Sequence, residues 1–281
     1  MGRQLRIVHR TGYRYNGWVS ASHNEARMTP RSSREQLVLA SKVDITPLAW
    51  KYTYVDYWGT RVTAFEIGQG HREMDVVATS TVDIGERFSD GLGVSWEEIQ
   101  LPDFTDQYCE MLQILPSVQP PEDAVTLAKG IAADSATPAQ AVKGVVDLIR
   151  GRVDYVPGAT EVRTPAVEVW SKGAGVCQDM VHLTLGILRS IGVPCRYVSG
   201  YVMPSQDAEP GETKVGESHA WLQYWDGVWV GIDPTNAVVP GDTHVEVGVG
   251  RDYFDVPPLK GVYSGSRSSD MFVEVEMTVL G

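Results

Sequence analysis

An α+β fold is predicted for this chain of 281 residues, since strand patterns come first, helical patterns follow and strands return at the end. Up to about residue 85, apolar and polar residues alternate in runs at 5–9, 36–45 and 75–84, which proline and glycine separate. Residues 121–190 carry apolar side chains at helical spacing, and strand-like runs resume at residue 195. Helices followed by antiparallel strands are typical of α+β proteins.

Changes in composition divide the chain into three parts. Residues 1–85 are predicted to form an all-β, β-sandwich-like domain, and residues 86–120, rich in glycine and proline, a linker. Residues 121–281 are predicted to form a second domain, in which helices come first and antiparallel strands follow. Seven aromatic residues of the first domain could form a binding face, but we expect them in its sheet core; they are Tyr13, Tyr15, Trp18, Tyr52, Tyr54, Tyr57 and Trp58.

Two helices have clear signals at their ends. Thr137 can cap a helix that runs to residue 150, and Pro138 suits its first turn. A second helix is predicted to begin at Cys177 and to stop at Gly192, where Pro194 follows.

The composition excludes several classes of protein. A formal net charge of −12 disfavours binding to nucleic acid, which needs a basic surface. No run approaches the roughly 20 apolar residues of a membrane span, and residues 1–10 lack the apolar core of a signal peptide. Three cysteines are too few for a disulfide framework. We therefore expect a cytoplasmic protein with no membrane partner.

Cys177 is the strongest candidate for a reactive residue. It follows a glycine-rich turn, Gly173-Ala-Gly-Val, and opens the apolar helix just described. A thiol at a helix N-terminus lies among unpaired backbone N–H groups and the positive end of the helix dipole. These surroundings favour the thiolate, which is the nucleophilic form of cysteine.

Six histidines compete for the role of base. His182 lies five residues after Cys177, about 140° around the helix, so we expect a buried and hydrogen-bonded residue there. His9, His23, His71 and His244 have no companions in the sequence that would form a site. The histidines show no metal-ligand spacing and no EF-hand loop is present, so we expect neither a metal nor another cofactor.

His219 is the favoured base because it begins a hairpin that ends at Asp233. A two-residue loop at Asp226-Gly227 would put these two residues on opposite faces. A three-residue loop at 225–227, with Gly227 left-handed, would pair Tyr224 with Val228 and put His219 directly opposite Asp233. We predict the three-residue loop, which brings a carboxylate within reach of the imidazole.

Three motifs together resemble the transglutaminase-like superfamily: Gly175-Val-Cys-Gln-Asp-Met-Val-His182, Ser218-His-Ala-Trp221 and Ile232-Asp-Pro-Thr-Asn236. Nearly the whole chain is similar to bacterial transglutaminase-like proteins that carry an N-terminal β domain. Further matches are the runs at 193–201 and 250–257, and Asp56-Tyr-Trp-Gly-Thr60 followed by His71. The resemblance implies a papain-like α+β core in residues 121–281 with Cys177, His219 and Asp233 as a catalytic triad.

Such a triad would act on an amide bond of a peptide, a glutamine side chain or an isopeptide through a thioester. The second partner of the reaction would be water or an amine acceptor. The backbone N–H of Cys177 is one expected oxyanion donor, and Tyr155 or Gln178 is expected to supply the other. Trp221, with Trp170, Trp225 and Trp229, could line an apolar cleft, and residues 204–217 are predicted to form a mobile loop beside it.

Two other functions stay open at this point. The chain could be a peptide-binding or assembly protein that keeps the fold without turnover. Alternatively, Cys177 could pair with Cys195 in a redox or structural role. Transglutaminase and protease activities are not separable by the triad, because both proceed through the same thioester.

Overall fold

The structure is a computed structural model and describes residues 2–85, 91–205 and 207–281. In the first third of the chain lie six strands: β1 (Arg3–Val19), β2 (Ala21–Ala26), β3 (Gln36–Thr46), β4 (Trp50–Val55), β5 (Arg61–Ile67) and β6 (His71–Ile84). Seven α-helices and two short strands follow: α1 (Trp96–Ile99), α2 (Pro102–Gln107), α3 (Cys109–Leu112), α4 (Glu122–Asp134), α5 (Pro138–Arg152), β7 (Asp154–Tyr155), α6 (Ala166–Lys172), β8 (Ala174–Gly175) and α7 (Cys177–Ser190).

The rest of the chain is mostly strand. Its elements are β9 (Cys195–Val202), β10 (Thr213–Gly216), β11 (Ser218–Trp225), β12 (Trp229–Ile232), β13 (His244–Gly250), a 3₁₀ turn (Tyr253–Asp255), β14 (Leu259–Ser264) and β15 (Ser269–Val279). The predicted α+β class and the predicted strands at 5–9, 36–45 and 75–84 are confirmed. The helices predicted at 137–150 and from Cys177 are also present.

The half of the molecule that contains the helices is built around α7. Nearly every residue of this helix is buried, because α4, α5 and α6 pack on it from one side. Its other side contacts an antiparallel sheet with strand order β12-β11-β9-β13. The apolar side chains of α7 therefore fill one core between helices and sheet, which holds the N-terminus of the helix in a fixed position.

The N-terminal strands form two further sheets, and strands from the C-terminus complete both. The five-stranded sheet has the order β10-β15-β1-β6-β3, and the four-stranded sheet has the order β14-β2-β5-β4. Residues 259–279 follow β13 in the chain but pair with β1 and β2. A shared apolar cluster joins the five-stranded sheet to the sheet that contacts α7; among its members are Leu5, Ile7, Tyr201 and Val245.

One expectation about the N-terminal residues needs correction. Most of the aromatic residues assigned to a sheet core are not buried: Tyr15 is, but Trp18 is 62% exposed and Tyr57 76% exposed. Trp18 lies near the end of β1, Tyr52 and Tyr54 lie on the edge strand β4, and Tyr57 and Trp58 follow in a loop. One face of an antiparallel sheet can meet solvent, which local alternation does not reveal. The segment predicted as a linker with short local structure contains the short helices α1–α3, and Ile99 of α1 is buried in the helical core. Residues 86–90 of that linker lie outside the described residues.

None of the helices in the described part of the chain has the length and apolar character needed to cross a membrane.

Candidate active site

Cys177 is the first residue of α7, and the turn before it is held by that helix. The backbone N–H of Val176 donates to Oδ2 of Asp179 at 2.8 Å, and the hydroxyl of Thr160 donates to the same oxygen at 2.5 Å. A Cβ on Gly175 would lie 2.9 Å from the Asp179 side chain, so glycine is required for this close approach. The glycine-rich turn and the third residue of the helix together orient Cys177.

Tyr155 is brought next to this turn by a short parallel strand pair. Strand β7 pairs with β8 so that Tyr155 lies beside Gly175, two residues before the cysteine. Hydrogen bonds from Asp154 N to Gly173 O at 2.9 Å and from Val156 N to Gly175 O at 2.8 Å fix the pairing. Tyr155 is 46% exposed, and burial, followed by the negative charges of Cys177 and Glu217, raises the pKa of its phenol.

The hairpin that carries His219 has a three-residue loop, but the predicted register is wrong by two residues. Trp225 pairs with Trp229, so the loop is Asp226-Gly227-Val228, with Gly227 left-handed at φ 78°. Continued one step beyond β12, this register puts Asp233 opposite Trp221. A shift by an even number of residues preserves the face, so His219 and Asp233 still lie on the same side.

His219 and Asp233 form a direct hydrogen bond. The distance from His219 Nε2 to Asp233 Oδ2 is 2.7 Å, and the Asp233 carboxylate is fully buried. Asp233 Oδ1 accepts the backbone N–H groups of Thr235 at 2.9 Å and Asn236 at 3.2 Å. The Asn236 side-chain amide donates to Oδ2 at 2.7 Å. These donors hold the carboxylate in place and leave Nδ1 of His219 as the ring nitrogen that can serve Cys177.

The electrostatics favour a charged pair. Burial opposes the positive charge on His219, but hydrogen bonds with Asp233 and Cys177, together with their negative charges, raise the pKa of His219 to about 10. Burial would raise the pKa of Asp233, yet hydrogen bonds from His219 and His244 and the charge of His219 hold it well below its ordinary value. His219 is therefore an imidazolium and Asp233 a carboxylate at neutral pH.

Cys177, His219 and Tyr155 line one cleft of about 350 Å³. Apolar residues dominate its walls, among them Val162, Val176 and Ala220, which is typical of sites that bind organic ligands. A second depression, also about 350 Å³, shares Tyr155, Glu217, Ser218 and His219 with the cleft and extends to Asn236. His219 can thus be approached from two directions.

The remaining predicted site residues occupy different positions. Gln178 lines the cleft, but its side-chain amide donates to Val162 O at 2.8 Å and is already engaged. Trp221 is fully buried and stacks behind His219, with ring centroids 6.2 Å apart. Along the cleft wall, as far as the structure describes it, no tryptophan occurs. The tryptophans that were expected to line the cleft lie elsewhere. Trp170 is in the core, and Trp225 and Trp229 pack against Tyr108.

Three other expectations have clear outcomes. His182 is buried and accepts the backbone N–H of Tyr253 at 3.1 Å, as predicted for a structural histidine; burial lowers its pKa to about 3. Cys177 and Cys195 are both free thiols, which is contrary to a disulfide between them. The segment 204–217 contains strand β10, which pairs with β15, so it is not wholly a loop, and residue 206 lies outside the described residues.

Sequence reasoning set aside two histidines that lie at this site. His244 approaches Asp233 Oδ2 with Nε2 at 3.4 Å, and His9 lines the cleft. Both come from strands far from Cys177 in the chain. Each occupies a buried strand position, His9 within β1 and His244 as the first residue of β13, and the residues next to them in the sequence give no signal for the site.

His219, Asp233 and His244 could also hold a metal ion, since one ligand atom from each lies within 4.8 Å of the others. Two imidazoles and a carboxylate suit zinc. The nitrogen and oxygen atoms in question are those that form the hydrogen bonds just described, so a metal ion would displace the His219–Asp233 bond.

Comparison with known proteins identifies the family. The family described as "Transglutaminase-like superfamily" matches residues 125–234, and the one described as "Bacterial transglutaminase-like N-terminal region" matches residues 5–83. An uncharacterized protein of Mycobacterium leprae is 43% identical over 278 residues, which cover 99% of both chains. This chain belongs to the transglutaminase-like superfamily.

Two further proteins are similar to this chain. The solved structure of a candidate cysteine protease from Cytophaga hutchinsonii superposes with a TM-score of 0.79 and 22% identity, covering 100% of this chain and 92% of the other. It shares the fold of this transglutaminase-like protein. A protein-glutamine gamma-glutamyltransferase of Pseudomonas aeruginosa is 26% identical over 109 residues, 35% of this chain and 16% of that one.

Proposed function

We propose that this protein transfers the acyl group of an amide through a thioester on Cys177, with His219 and Asp233 completing a triad. The observation that carries the proposal is the position of His219. One of its ring nitrogens bonds the buried carboxylate of Asp233, and the imidazole also hydrogen-bonds Cys177 at the wall of an apolar cleft. The substrate class is a peptide or protein that offers a backbone amide, a glutamine side chain or an isopeptide bond.

In the first half of the reaction, the Cys177 sulfur forms a bond to the carbonyl carbon and the carbonyl oxygen becomes an oxyanion. The imidazolium of His219 then donates its Nδ1 proton to the departing nitrogen as the carbon–nitrogen bond breaks. The products of this half are the thioester, a free amine or ammonia, and neutral His219. Asp233 keeps the ring in the orientation that directs Nδ1 at the sulfur.

In the second half, neutral His219 accepts a proton from the incoming nucleophile, which is water or a primary amine. The nucleophile attacks the thioester carbonyl, a second oxyanion forms, and the sulfur leaves as a thiolate. This step restores the imidazolium and releases an acid or a new amide. The second depression beside His219 supports separate routes for the acyl group and the nucleophile.

For the oxyanion we propose two donors, the backbone N–H of Cys177 and the hydroxyl of Tyr155. The first turn of a helix has N–H groups without an intrahelical acceptor, and Cys177 is the first residue of α7. Tyr155 lines the same cleft and pairs in β7 beside the turn that precedes the cysteine. The side chain of Gln178 is the weaker candidate because Val162 O already accepts from it.

The test is mass spectrometry of a glutamine-containing peptide incubated with the protein and a primary amine such as cadaverine. Amine transfer adds the mass of the amine less that of ammonia, whereas hydrolysis of the side chain replaces nitrogen with oxygen and cleavage gives two fragments. The matched control is Cys177→Ser, and Cys109→Ser, an exposed thiol outside the cleft, should behave as the wild type. Peptide binding without any acyl adduct over a broad substrate panel would favour the non-catalytic peptide-binding function instead.

A further inference from the structure

His9 is a buried titratable residue that the proposed reaction does not use, although it lines the same cleft as Cys177. It comes from β1 of the N-terminal sheet and is only 2% exposed. Among the described residues, its Nε2 atom has no hydrogen-bond partner. Buried polar atoms without a partner are rare and costly, so this nitrogen requires an explanation.

The neighbours of His9 determine which ring nitrogen carries the proton. The hydroxyl of Tyr201 donates its single proton to Met28 O at 3.1 Å. His9 Nδ1 lies 2.9 Å from the same hydroxyl oxygen, which can therefore only accept from it. Burial lowers the pKa of His9 to about 4, so the ring is neutral at pH 7. With its proton on Nδ1, the ring presents a bare lone pair at Nε2.

The position of His9 follows from how the two halves of the protein pack. Leu5 and Ile7, the neighbouring inward residues of β1, belong to the apolar cluster that joins the five-stranded sheet to the sheet that contacts α7. Further along the sheet this contact opens into the cleft, where Met271 and Val273 of β15 form part of the wall. His9 lies at the transition from closed interface to open cleft, opposite Val275 on β15.

We propose that His9 Nε2 accepts a hydrogen bond from an N–H group of the substrate, so that the N-terminal sheet forms part of the substrate site. This inference rests on the proposed function, because the ligands it assumes are amides that react with Cys177. The lone pair of His9 Nε2 would be selective, because it attracts an amide N–H and repels the oxygen of an ester or carboxylate. The proposal also assigns a role to the five-stranded sheet, in which β1 supplies the specificity determinant His9 and β15 supplies Met271 and Val273 of the cleft wall.

The experiment compares two iodoacetyl probes that alkylate thiols by the same reaction. One is iodoacetyl-glycine methylamide, and the other is its analogue in which both amide nitrogens are methylated. Rates of Cys177 alkylation are followed by mass spectrometry and divided by the rates of the same probes with glutathione. For the wild type we expect the N–H probe to react about tenfold faster than the methylated one after this correction. The preference should fall to about one in His9→Phe, which keeps a planar ring but lacks both nitrogens.

The controls separate recognition from structure. Thr11→Val alters a buried polar residue two positions along β1 whose hydroxyl bonds Phe272 O, outside the cleft, and should keep the wild-type preference. Steric effects of the methyl groups persist in His9→Phe and therefore cancel in the comparison. The small reagent methyl methanethiosulfonate should label Cys177 equally fast in all three proteins, which shows that the site is intact.

Two results would overturn the inference: equal corrected rates for both probes in the wild type, or an unchanged preference in His9→Phe. The wild-type comparison stands even where the variant does not fold. Failure of the proposed function gives a different result, since methyl methanethiosulfonate would then label Cys177 no faster than the exposed Cys109.

Discussion

His244 Nε2 lies 3.4 Å from Oδ2 of Asp233, the same carboxylate oxygen that bonds His219. His244 is 3% exposed, its other ring nitrogen lies 3.1 Å from the Thr243 hydroxyl, and its ring meets Trp221 edge to face at 5.3 Å. Asp233 is thus held between two imidazoles. Trp221 contacts both rings and excludes water behind them. This arrangement fixes the carboxylate that orients the proposed base.

His244 is expected to act as a positioning residue for Asp233. His244→Phe should lower kcat by about 10- to 100-fold, the range seen for hydrogen-bonding partners that orient metal ligands. KM should change little, since His244 is not among the residues that line the cleft in the described chain. Steady-state kinetics across pH provide the measurement, and His244→Gln, which keeps an N–H donor, should recover part of kcat. A purely structural role would lower thermal stability without moving the pH profile.

Tyr155→Phe should lower kcat by about 100- to 1000-fold, because it removes one of the two proposed oxyanion donors. The phenyl ring remains, so folding and substrate binding should be preserved. Initial-rate kinetics with the peptide substrate are the measurement. Tyr57→Phe is the matched control, since that exposed hydroxyl bonds Glu110 outside the cleft. Unchanged turnover in Tyr155→Phe would remove the tyrosine from the mechanism.

Iodoacetamide should label Cys177 much faster than Cys109 or Cys195 at neutral pH. Cys109 is exposed but lies outside the cleft. Cys195 is fully buried, and burial raises its pKa to about 11, so it should react slowly for lack of both access and thiolate. Peptide mapping after timed alkylation is the measurement. Comparable labelling of Cys177 and Cys109 would argue against an activated nucleophile.

The contribution of His219 to stability should fall as pH rises. Its pKa is raised from 6.5 to about 10 in the folded protein, so the folded state holds a proton that the unfolded state loses between these values. The stabilisation is complete below pH 6.5 and is lost as pH rises through about 10. Urea unfolding of the wild type and His219→Gln should therefore give curves that converge over this interval. A constant or widening difference would contradict the charged pair.

Zinc is expected to inhibit the enzyme reversibly. The ligand atoms of His219, Asp233 and His244 lie close enough to bind one ion, and binding would remove the hydrogen bond that orients His219. Activity should fall with added Zn²⁺ and return with EDTA, and His244→Phe should need more zinc for the same inhibition. Loss of activity on treatment with EDTA alone would show instead that a metal is required.

Local sequence patterns were sufficient to predict much of the fold of this protein. The α+β class follows from apolar periodicity, because alternation and helical spacing are properties of short windows. The start of α7 at Cys177 follows from the glycine-rich turn before an apolar run. The hairpin pattern also predicts that His219 and Asp233 share a face. A register error of two residues leaves each side chain on the same face of the strand, so this prediction holds.

Other features could only be decided by tertiary structure. The loop at Asp226-Gly227-Val228 is set by packing around the hairpin, where Asp226 Oδ1 accepts Val94 N at 2.7 Å. His9 and His244 reach the site because β1 pairs with the C-terminal β15 and β13 pairs with β9. Pairing between distant strands depends on how whole sheets bury their apolar faces against each other, and no short window of sequence contains that information. The sequence alone therefore predicted the cysteine at the start of α7 and the shared face of His219 and Asp233, while the packing of the sheets decided what surrounds them.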